Sequence, residues 1–324
     1  MPILNDDGDG IQYIAEASFQ VAYMSFAEII NGQQFSTDKT ELNLNRSIVG
    51  QITENDLEQL EFMTNLQKLY LNNQDITDLS LLSSLVTLQE LYLSGNKITD
   101  LEPLSGLTNL RKLTADNNYF NSIEPLQGLT SLKELHINSN PITNLSPLIG
   151  LTNLEVLDLS GNWAVISDPT PLRQIYNLRW LNLSDSRILN GSVLHLVDLD
   201  NLQYLNLNNS GILSIGGIEL FGELRYLKLS NNNIISVAHL DNLSNQFAHL
   251  RHLDLSNNQI RWIDPLVRLD LRFLDLTNNQ LTTVYHSLEY MVNLQVLRLS
   301  GNTIINTWES MALHNRLPNA NITW

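Results

Sequence analysis

The stretch LYLSGNKITDLEPLSGLTNL (residues 91–110) carries the pattern on which the fold of this chain depends. Leu91 and Leu93 are separated by one residue, so in an extended strand their side chains point to the same face. The longer pattern L-x-x-L-x-L-x-x-N recurs from Leu66 onward. Its first leucines are Leu66, Leu88, Leu110, Leu132, Leu154, Leu178, Leu202, Leu224, Leu250, Leu271 and Leu294. The first four spacings are 22 residues and the later ones vary from 21 to 26, a period that predicts a solenoid of stacked units.

The repeated positions have separate physical roles. The strand leucines of one unit are expected to stack on those of the next, because a single unit of this length cannot bury its apolar face alone. The asparagine that closes each pattern is expected to bind buried backbone groups, since an amide side chain both donates and accepts hydrogen bonds. These residues are Asn96, Asn118, Asn140, Asn162, Asn232, Asn258, Asn279 and Asn302. Gln74, Ser186 and Ser210 depart from the rule, and we expect a locally altered ladder there.

The repeats resemble those of a known family. Residues 91–110 and 135–154 (LHINSNPITNLSPLIGLTNL) share the run I-x-D/N-L-x-P-L-x-x-L-T-N-L, which is similar to the leucine-rich repeats of bacterial internalins. The resemblance covers residues 66–154 closely and returns in IRWIDPLVRL (260–269). It implies an α/β leucine-rich-repeat solenoid, a curved horseshoe with a parallel sheet on the concave side and 3₁₀ turns on the convex side. The short-repeat regulatory subunits of eukaryotic protein phosphatases share much of this pattern, and the proline in EPL and SPL favours the bacterial group.

We expect three parts along the chain: an N-terminal cap over residues 1–65, leucine-rich repeats over 66–305 and a short C-terminal cap over 306–324. The ends of a solenoid need caps, because a terminal repeat would otherwise expose its core and its strand edge. The ending WESMALHNRLPNANITW (308–324) predicts a final helix, a Pro-Asn turn and a last strand.

The N-terminal cap is predicted to be helical. Its apolar residues Phe19, Ala22, Tyr23, Phe26, Ile29 and Ile30 recur at helical spacing, and Gly32 follows as a stop. A second helix is predicted in TENDLEQLEFM, where Thr53 and Asp56 are placed as a capping pair. A first, imperfect strand is expected around Leu42 and Leu44.

One acidic stretch in the cap has the spacing of a calcium loop. In NDDGDGIQYIAE (5–16) the oxygen-ligand positions fall on Asn5, Asp7, Asp9, Ile11 (through its backbone carbonyl) and Glu16. Gln12 replaces the usual apolar residue, and only four residues precede the loop, too few for an incoming helix. An acidic, flexible tail is the alternative interpretation. No pattern in the chain requires a cofactor, and calcium bracing the cap is the one ligand that the spacing suggests.

The composition excludes several classes of function. The chain has 34 acidic and 18 basic residues and a net charge of −16, whereas nucleic acid and anionic membranes attract clustered basic charge. It has no cysteine, and no apolar run approaches the roughly 20 residues that a bilayer span needs. Its seven histidines are dispersed over different repeats, and it contains no phosphate loop or nucleophile elbow. We therefore expect no enzyme, no nucleic-acid partner and no membrane insertion.

One strand position carries a run of rings. The residue before the second leucine of each repeat is predicted to face the concave surface, and it alternates in charge through Lys68, Glu90, Lys112 and Glu134. Five successive later repeats instead carry Trp180, Tyr204, Tyr226, His252 and Phe273, which we call the ring column. One residue earlier lie Arg179, Arg225, Arg251 and Arg272, which we call the arginine column. Rings and arginines with a polar margin are typical of binding hot spots.

These patterns predict a non-enzymatic module that binds a protein through its concave face, with the two columns as the site. Rings also suit any half-exposed pleated surface, and arginine stems can stack on them for packing alone. The internalin resemblance implies a monomer at a bacterial surface or outside the cell. Two alternatives stay open: a cytoplasmic regulatory or scaffolding protein of the phosphatase-subunit type, and a carbohydrate-binding protein whose rings stack on sugars.

Overall fold

The computed structural model describes residues 3–4, 11–12, 27–30, 33–162, 164–187, 193–196, 198–241, 247–304 and 307–324. Within these residues, thirteen short strands, β5 to β17, form one sheet in sequence order, and all neighbouring strands are parallel. The strands are β5 (Glu41–Asn43), β6 (Lys68–Tyr70), β7 (Glu90–Tyr92), β8 (Lys112–Thr114), β9 (Glu134–His136), β10 (Val156–Asp158), β11 (Trp180–Asn182), β12 (Tyr204–Asn206), β13 (Tyr226–Lys228), β14 (His252–Asp254), β15 (Phe273–Asp275), β16 (Val296–Arg298) and β17 (Asn321–Thr323).

Each strand of this sheet is three residues long, and the central leucine of β5 to β16 is buried in the core, whereas β17 has the partly buried Ile322 at this position. Leu157, Leu181 and Leu205 pair in register across three neighbouring strands and are fully buried. The residues on either side of each leucine lie on the opposite face, as the alternation of an extended chain requires. We call this second face the open face; it is the face that the sequence analysis predicts to be concave.

The return segments behind the sheet contain 3₁₀ turns, as the resemblance implied. They span Gln59–Phe62, Ser80–Ser84, Glu102–Leu104, Glu124–Leu126, Ser146–Gly150, Thr170–Gln174, Val193–Leu196, Ile218–Leu220, Ala238–Leu240 and Asp264–Arg268. In the EPL and SPL motifs the proline lies in the first turn, where a backbone N–H has no partner within the turn. The closing leucine of each motif, for example Leu104 or Leu126, is buried against the strand leucines.

The predicted asparagine ladder is confirmed at every predicted asparagine except Asn162, whose amide donates, among the described residues, only to the carbonyl of Leu159 in its own repeat. Asn96 donates from its amide to the carbonyls of Leu71 (2.9 Å) and Leu93 (2.7 Å), and its oxygen accepts from the backbone N–H groups of Gln74 (2.9 Å) and Ile76 (3.1 Å). One side chain therefore satisfies backbone groups of two successive repeats. The same pattern of donation to two repeats recurs at Asn118, Asn232, Asn258 and Asn279.

The ladder changes where the sequence departs from asparagine. The hydroxyl of Ser186 donates to the carbonyl of Leu159 (2.8 Å), and that of Ser210 donates to Leu183 (2.7 Å). A hydroxyl has one proton to donate and an amide has two, so the serine side chains donate fewer hydrogen bonds to the backbone than the asparagine side chains do. Gln74 reaches further, because its longer side chain accepts from the N–H of Ile52 (3.0 Å) in the N-terminal cap.

The sequence prediction of a helical N-terminal cap is partly wrong. Residues 27–30, predicted as the end of a helix, form strand β3 (Ala27–Ile30), which pairs antiparallel with β4 (Gln33–Phe35). Phe19, Ala22, Tyr23 and Phe26 lie outside the described residues. The buried side chain of Ile30 joins the core of the solenoid. A short antiparallel pair, β1 (Ile3–Leu4) with β2 (Ile11–Gln12), precedes it.

The second predicted helix is present. A short helix spans Arg46–Val49, and another spans Glu54–Glu58 before the first 3₁₀ turn. Thr53 and Asp56 form the predicted capping box, in which the N–H of Thr53 donates to the Asp56 carboxylate (2.7 Å) and the N–H of Asp56 donates to the Thr53 hydroxyl (3.3 Å).

The C-terminal elements follow the prediction. The final helix spans Thr307–Arg316, and β17 adds the last strand to the sheet. A short helix at Tyr285–Leu288 lies outside the predicted cap. Glu309 on the final helix is almost fully buried, and its carboxylate accepts from the Thr283 hydroxyl (2.6 Å) and the N–H of Val284 (2.9 Å). None of the helices in the described part of the chain has the length and apolarity that crossing a membrane requires.

Candidate protein-binding surface

The structure brings the five residues of the ring column together on the open face. Direct strand register places Trp180, Tyr204, Tyr226, His252 and Phe273 side by side on β11 to β15. Parallel strands lie about 4.8 Å apart, which is close to the separation of stacked rings, so the same position in successive repeats favours ring contact.

The rings form an unbroken stack. Trp180 and Tyr204 are parallel within 8° at 5.0 Å between centroids, and His252 and Phe273 are parallel within 2° at 4.0 Å. Tyr226 bridges these two pairs with tilted contacts of 6.2 Å to Tyr204 and 5.5 Å to His252. Tyr226 is the most exposed ring at 48%, and the other four are half-buried. Solvent therefore reaches Tyr226 most, and the other four rings are partly covered by their neighbours.

Burial within the stack affects the one ring that can titrate near neutral pH. Burial between its neighbours lowers the pKa of His252 below its ordinary value, and the Lys228 ammonium lowers it further. The carboxylates of Asp254 and Asp275 oppose this shift. The neutral form of the imidazole is therefore favoured, which suits a ring stacked between two aromatic side chains.

The arginine column divides into two kinds of residue. Arg179, Arg225 and Arg272 are exposed, and no ion pair or hydrogen bond of their guanidinium groups is found among the described residues. Arg251 is half-buried, donates to the carbonyls of Ala248 and Leu250 (both 2.9 Å) and pairs with Asp270 at 3.4 Å. Arg251 therefore supports the loop before its own strand, whereas the other three guanidinium groups are free to contact a partner.

Two contacts between a cation and a ring were not predicted from the sequence. The Lys228 ammonium lies 5.6 Å from the centroid of Tyr204, and the Arg298 guanidinium lies 5.3 Å from the centroid of Phe273. Each cation is on the strand after its ring and two positions further along that strand. In the aligned repeats, each cation is therefore diagonal to its ring. It is neither in the same column as the ring nor adjacent to it in sequence.

The acidic residues beside the rings serve the fold. Asp158 and Asp254 each accept from the N–H and hydroxyl of the serine two residues later, at 2.6–3.0 Å. Asp275 accepts from the N–H of Thr277 (2.9 Å) and pairs with Arg298 at 3.2 Å. These bonds stabilise the turn that follows each strand. The carboxylates on this side of the ring column are therefore bound by their own turns and, at Asp275, also by Arg298 of the next repeat.

The N-terminal half of the open face is different in character. The predicted charge alternation forms ion pairs between neighbouring strands, Lys68 with Glu90 at 3.1 Å and Lys112 with Glu134 at 2.6 Å. Beside them, Tyr70 and Tyr92 are stacked at 4.3 Å. Burial raises the pKa of the Tyr92 hydroxyl, which also donates to Glu90 at 2.6 Å. This half has matched charges and one ring pair in place of a continuous stack.

The predicted calcium ligands are not brought together by any described contact. Asn5, Asp7, Asp9 and Glu16 lie outside the described residues, and Ile11 belongs to β2. Among the residues that the structure does describe, no three His, Asp or Glu side chains converge in a way that could hold a metal ion. Calcium binding at residues 5–16 stays a prediction.

The repeats also match known family models. The model described as Leucine Rich repeats (2 copies) matches residues 64–96, 86–129 and 130–173, and the model described as Leucine Rich Repeat matches residues 249–267. These parts of the chain are leucine-rich repeats. No curated protein sequence matches it.

Solved structures confirm the resemblance to internalins. This leucine-rich-repeat protein is similar to internalin InlF from Listeria monocytogenes, with 28% identity over 93% of this chain and 92% of that chain and a TM-score of 0.75. It is similar to a leucine-rich-repeat protein of Leptospira interrogans, with 25% identity over 89% and 96% of the two chains and a TM-score of 0.59. The ectodomain of the plant receptor kinase GASSHO1/SCHENGEN3 from Arabidopsis thaliana shares the fold, with 22% identity over 82% and 33% of the two chains and a TM-score of 0.67. That ectodomain was solved in complex with CASPARIAN STRIP INTEGRITY FACTOR 2.

Proposed function

We propose that this leucine-rich-repeat protein is a non-enzymatic module that binds another protein through its open face, with the ring column as the apolar anchor. The observation that carries the proposal is the unbroken stack of five rings on the face of the sheet that the core does not use. Proteins of this fold commonly bind proteins, and the plant ectodomain that shares it was solved in complex with CASPARIAN STRIP INTEGRITY FACTOR 2.

The fold itself does not demand rings at this position. In the first repeats the same column holds Lys68, Glu90, Lys112 and Glu134, and the sheet there is equally regular. A charged pair is therefore sufficient to cover the sheet. Since five repeats in succession have replaced such pairs with rings, a role outside folding is the better explanation.

The dimensions suit a protein partner. Five adjacent strands place the column along about 19 Å of the sheet, a length that fits within a standard protein interface of about 800 Å² per partner. Rigid rings lose little conformational freedom when they are buried, which is why they anchor interfaces.

Ring geometry favours a protein over a sugar. A sugar stacks on a free ring face, but Trp180 covers Tyr204 and His252 covers Phe273 with nearly parallel rings. Ring edges and the tilted Tyr226 instead suit apolar side chains. The similarity to an internalin supports a location at a bacterial surface or outside the cell, and we propose that the protein acts there as a monomer.

The test is capture of partners by wild-type protein and by a Trp180→Ala, Tyr204→Ala, Tyr226→Ala variant, followed by calorimetric measurement of the affinity of each captured protein. We expect at least a tenfold loss of affinity in the ring variant. A Lys112→Ala, Glu134→Ala variant is the matched control, because it empties the same column in the N-terminal half.

Thermal melts of all three proteins must show a folded solenoid. Equal affinity of the wild type and the ring variant for every captured protein would refute the proposal. Ring-dependent binding on a glycan array, with no ring-dependent protein, would replace it with carbohydrate recognition.

A further inference from the structure

Positive charge is concentrated in one row of the open face. Backbone hydrogen bonds join the residue before each ring to its counterpart in the next repeat, from Lys133 through Glu155 to Arg272 and Gln295. The row reads Gln67, Gln89, Arg111, Lys133, Glu155, Arg179, Gln203, Arg225, Arg251, Arg272 and Gln295. Six of the 18 basic residues of the chain lie in it, against one of the 34 acidic residues. That one, Glu155, is already paired with Lys133 at 3.1 Å.

We propose that the partner is a protein that places a row of carboxylates on Arg179, Arg225 and Arg272 while its apolar side chains cover the ring column. The inference rests on the proposed function, because it takes the open face as the binding surface. It adds the chemistry of the partner, which the ring column alone does not specify.

The three free arginines are regularly spaced. Arg179, Arg225 and Arg272 precede β11, β13 and β15, so one strand lies between each pair. With strands about 4.8 Å apart, the guanidinium groups originate at intervals of roughly 10 Å. The intervening positions are Gln203 and the self-paired Arg251. The surface therefore offers three separate guanidinium groups, each able to form a bidentate pair with a carboxylate.

The charged residues on the two sides of the ring column differ in whether they already have partners within the protein. On one side, Asp158, Asp254 and Asp275 are bound to their own turns or to Arg298. On the other side, the free arginines have no partner among the described residues. An approaching protein would therefore meet three unpaired guanidinium groups along this edge, although the chain as a whole has a charge of −16. On the side of the aspartates, the Lys228 ammonium has no ion pair among the described residues but lies over the Tyr204 ring.

This asymmetry favours an acidic protein over a uniform polyanion. Nucleic acid or a sulfated glycan carries negative charge along its whole width, so it would also face Asp158, Asp254 and Asp275 and the acidic remainder of the molecule. A protein surface can place carboxylates along one edge and apolar or neutral groups beside them. Such a surface matches both columns at once.

The experiment is selection from a phage-displayed library of small helical domains in which one face is randomised. The bait proteins are the wild type, an Arg179→Gln, Arg225→Gln, Arg272→Gln variant, and the ring variant described above. An Arg187→Gln, Arg268→Gln, Arg261→Gln variant changes the net charge equally at exposed positions outside the open face, and so serves as the control.

We expect domains selected by the wild type to be enriched in Asp and Glu as well as in apolar residues. Their affinity should fall about tenfold on the triple arginine variant, a size consistent with three partly exposed ion pairs, and stay within about twofold on the control variant. A charge-reversed bait, the Arg179→Glu, Arg225→Glu, Arg272→Glu variant, should select Lys- and Arg-rich domains instead.

The outcomes separate the two proposals. Domains that need the rings but show no acidic enrichment, or that bind the arginine variant as well as the wild type, would overturn this inference and leave the proposed function standing. Recovery of the same domains by wild type and ring variant would overturn both. Arginine-dependent binding of heparin or oligothymidine at physiological salt would replace the acidic protein with a polyanion.

Discussion

The Asn118→Ala substitution is expected to lower the free energy of unfolding by about 3 kcal/mol, a value that follows from the bonds it removes. The Asn118 amide donates to the carbonyls of Leu93 and Ala115 (both 3.1 Å), and its oxygen accepts from the N–H of Ile98 (3.1 Å). Both carbonyls also accept from a neighbouring rung of the ladder, so each keeps one bond. The N–H of Ile98 loses its acceptor inside the core, which costs about 1–3 kcal/mol. Loss of the other bonds adds roughly 1 kcal/mol.

Asn140→Ala is the informative comparison. Its amide donates to the carbonyls of Ala115 (3.0 Å) and Ile137 (3.1 Å), but its buried oxygen has no hydrogen-bond partner among the described residues. The Asn140→Ala substitution therefore removes an acceptor that is already unsatisfied, and it leaves no N–H donor without an acceptor. A carbonyl tolerates the loss of a partner better than an N–H does, so we expect about 1 kcal/mol.

Urea unfolding followed by circular dichroism measures both effects, with the midpoints compared at a common slope. Asn109→Ala is the control, because its exposed amide makes one bond, to the carbonyl of Val86 (2.9 Å), and should cost less than about 0.5 kcal/mol. Asn118→Ala should lose more stability than Asn140→Ala. If the two substitutions lower the free energy of unfolding equally, or if Asn140→Ala lowers it more, then the cost of breaking the ladder does not come from buried N–H donors left without an acceptor.

Gly95→Ala should lower the free energy of unfolding by about 1–2 kcal/mol in the same assay, since Gly95 has φ +71° and an added Cβ would collide with the side chain of Asn73. Gly106→Ala, whose added Cβ would have no atom within 4 Å, should change it by less than about 0.5 kcal/mol. Burial lowers the pKa of His252 in the folded protein. As the pH falls below about 6.5, His252 is therefore protonated in the unfolded chain before it is protonated in the folded protein, and this lowers the free energy of unfolding. The melting temperature of His252→Phe should therefore fall less between about pH 7 and about pH 5 than that of the wild type, and an equal fall would contradict the assigned cause. Glu309→Ala should cost about 2 kcal/mol and expose the final helix to protease, because the N–H of Val284 loses its acceptor, whereas Glu309→Gln should retain part of that stability; equal losses would count against this bond.

The repeat period made most of the fold predictable. A fixed spacing determines which residues become neighbours across the sheet, so the register of Trp180 with Tyr204, and of each later ring with the next, follows from alignment alone. The ladder was predictable for a similar reason: a buried turn that recurs needs a side chain that both donates and accepts.

Features outside the period were harder to predict. The apolar spacing that ends in Ile29 and Ile30 fits a helix, but the structure pairs Ala27–Ile30 antiparallel with Gln33–Phe35. Such short apolar segments satisfy both periodicities, and contact with the first repeat decides between them.

Side-chain partners in the candidate site were also not predictable. Column position predicts that Arg179 and Arg251 are equivalent, yet only Arg251 turns to the carbonyls of its own loop. The stacking of Lys228 on Tyr204 depends on a diagonal contact between strands that the linear pattern does not display. Position on a repeat follows from sequence, whereas the conformation of a long side chain follows from its local surroundings.

Paired strands of the sheet are one repeat apart in the sequence, and this short separation affects how the protein folds. Although its sheet is entirely parallel, contacting residues are separated by about one repeat in a chain of 324 residues. The relative contact order is roughly 0.07, a value typical of helical bundles and not of proteins dominated by distant strand pairings. Folding can therefore begin in any group of neighbouring repeats and spread in both directions along the chain. The repeats that carry the rings are able to assemble without waiting for either end of the chain.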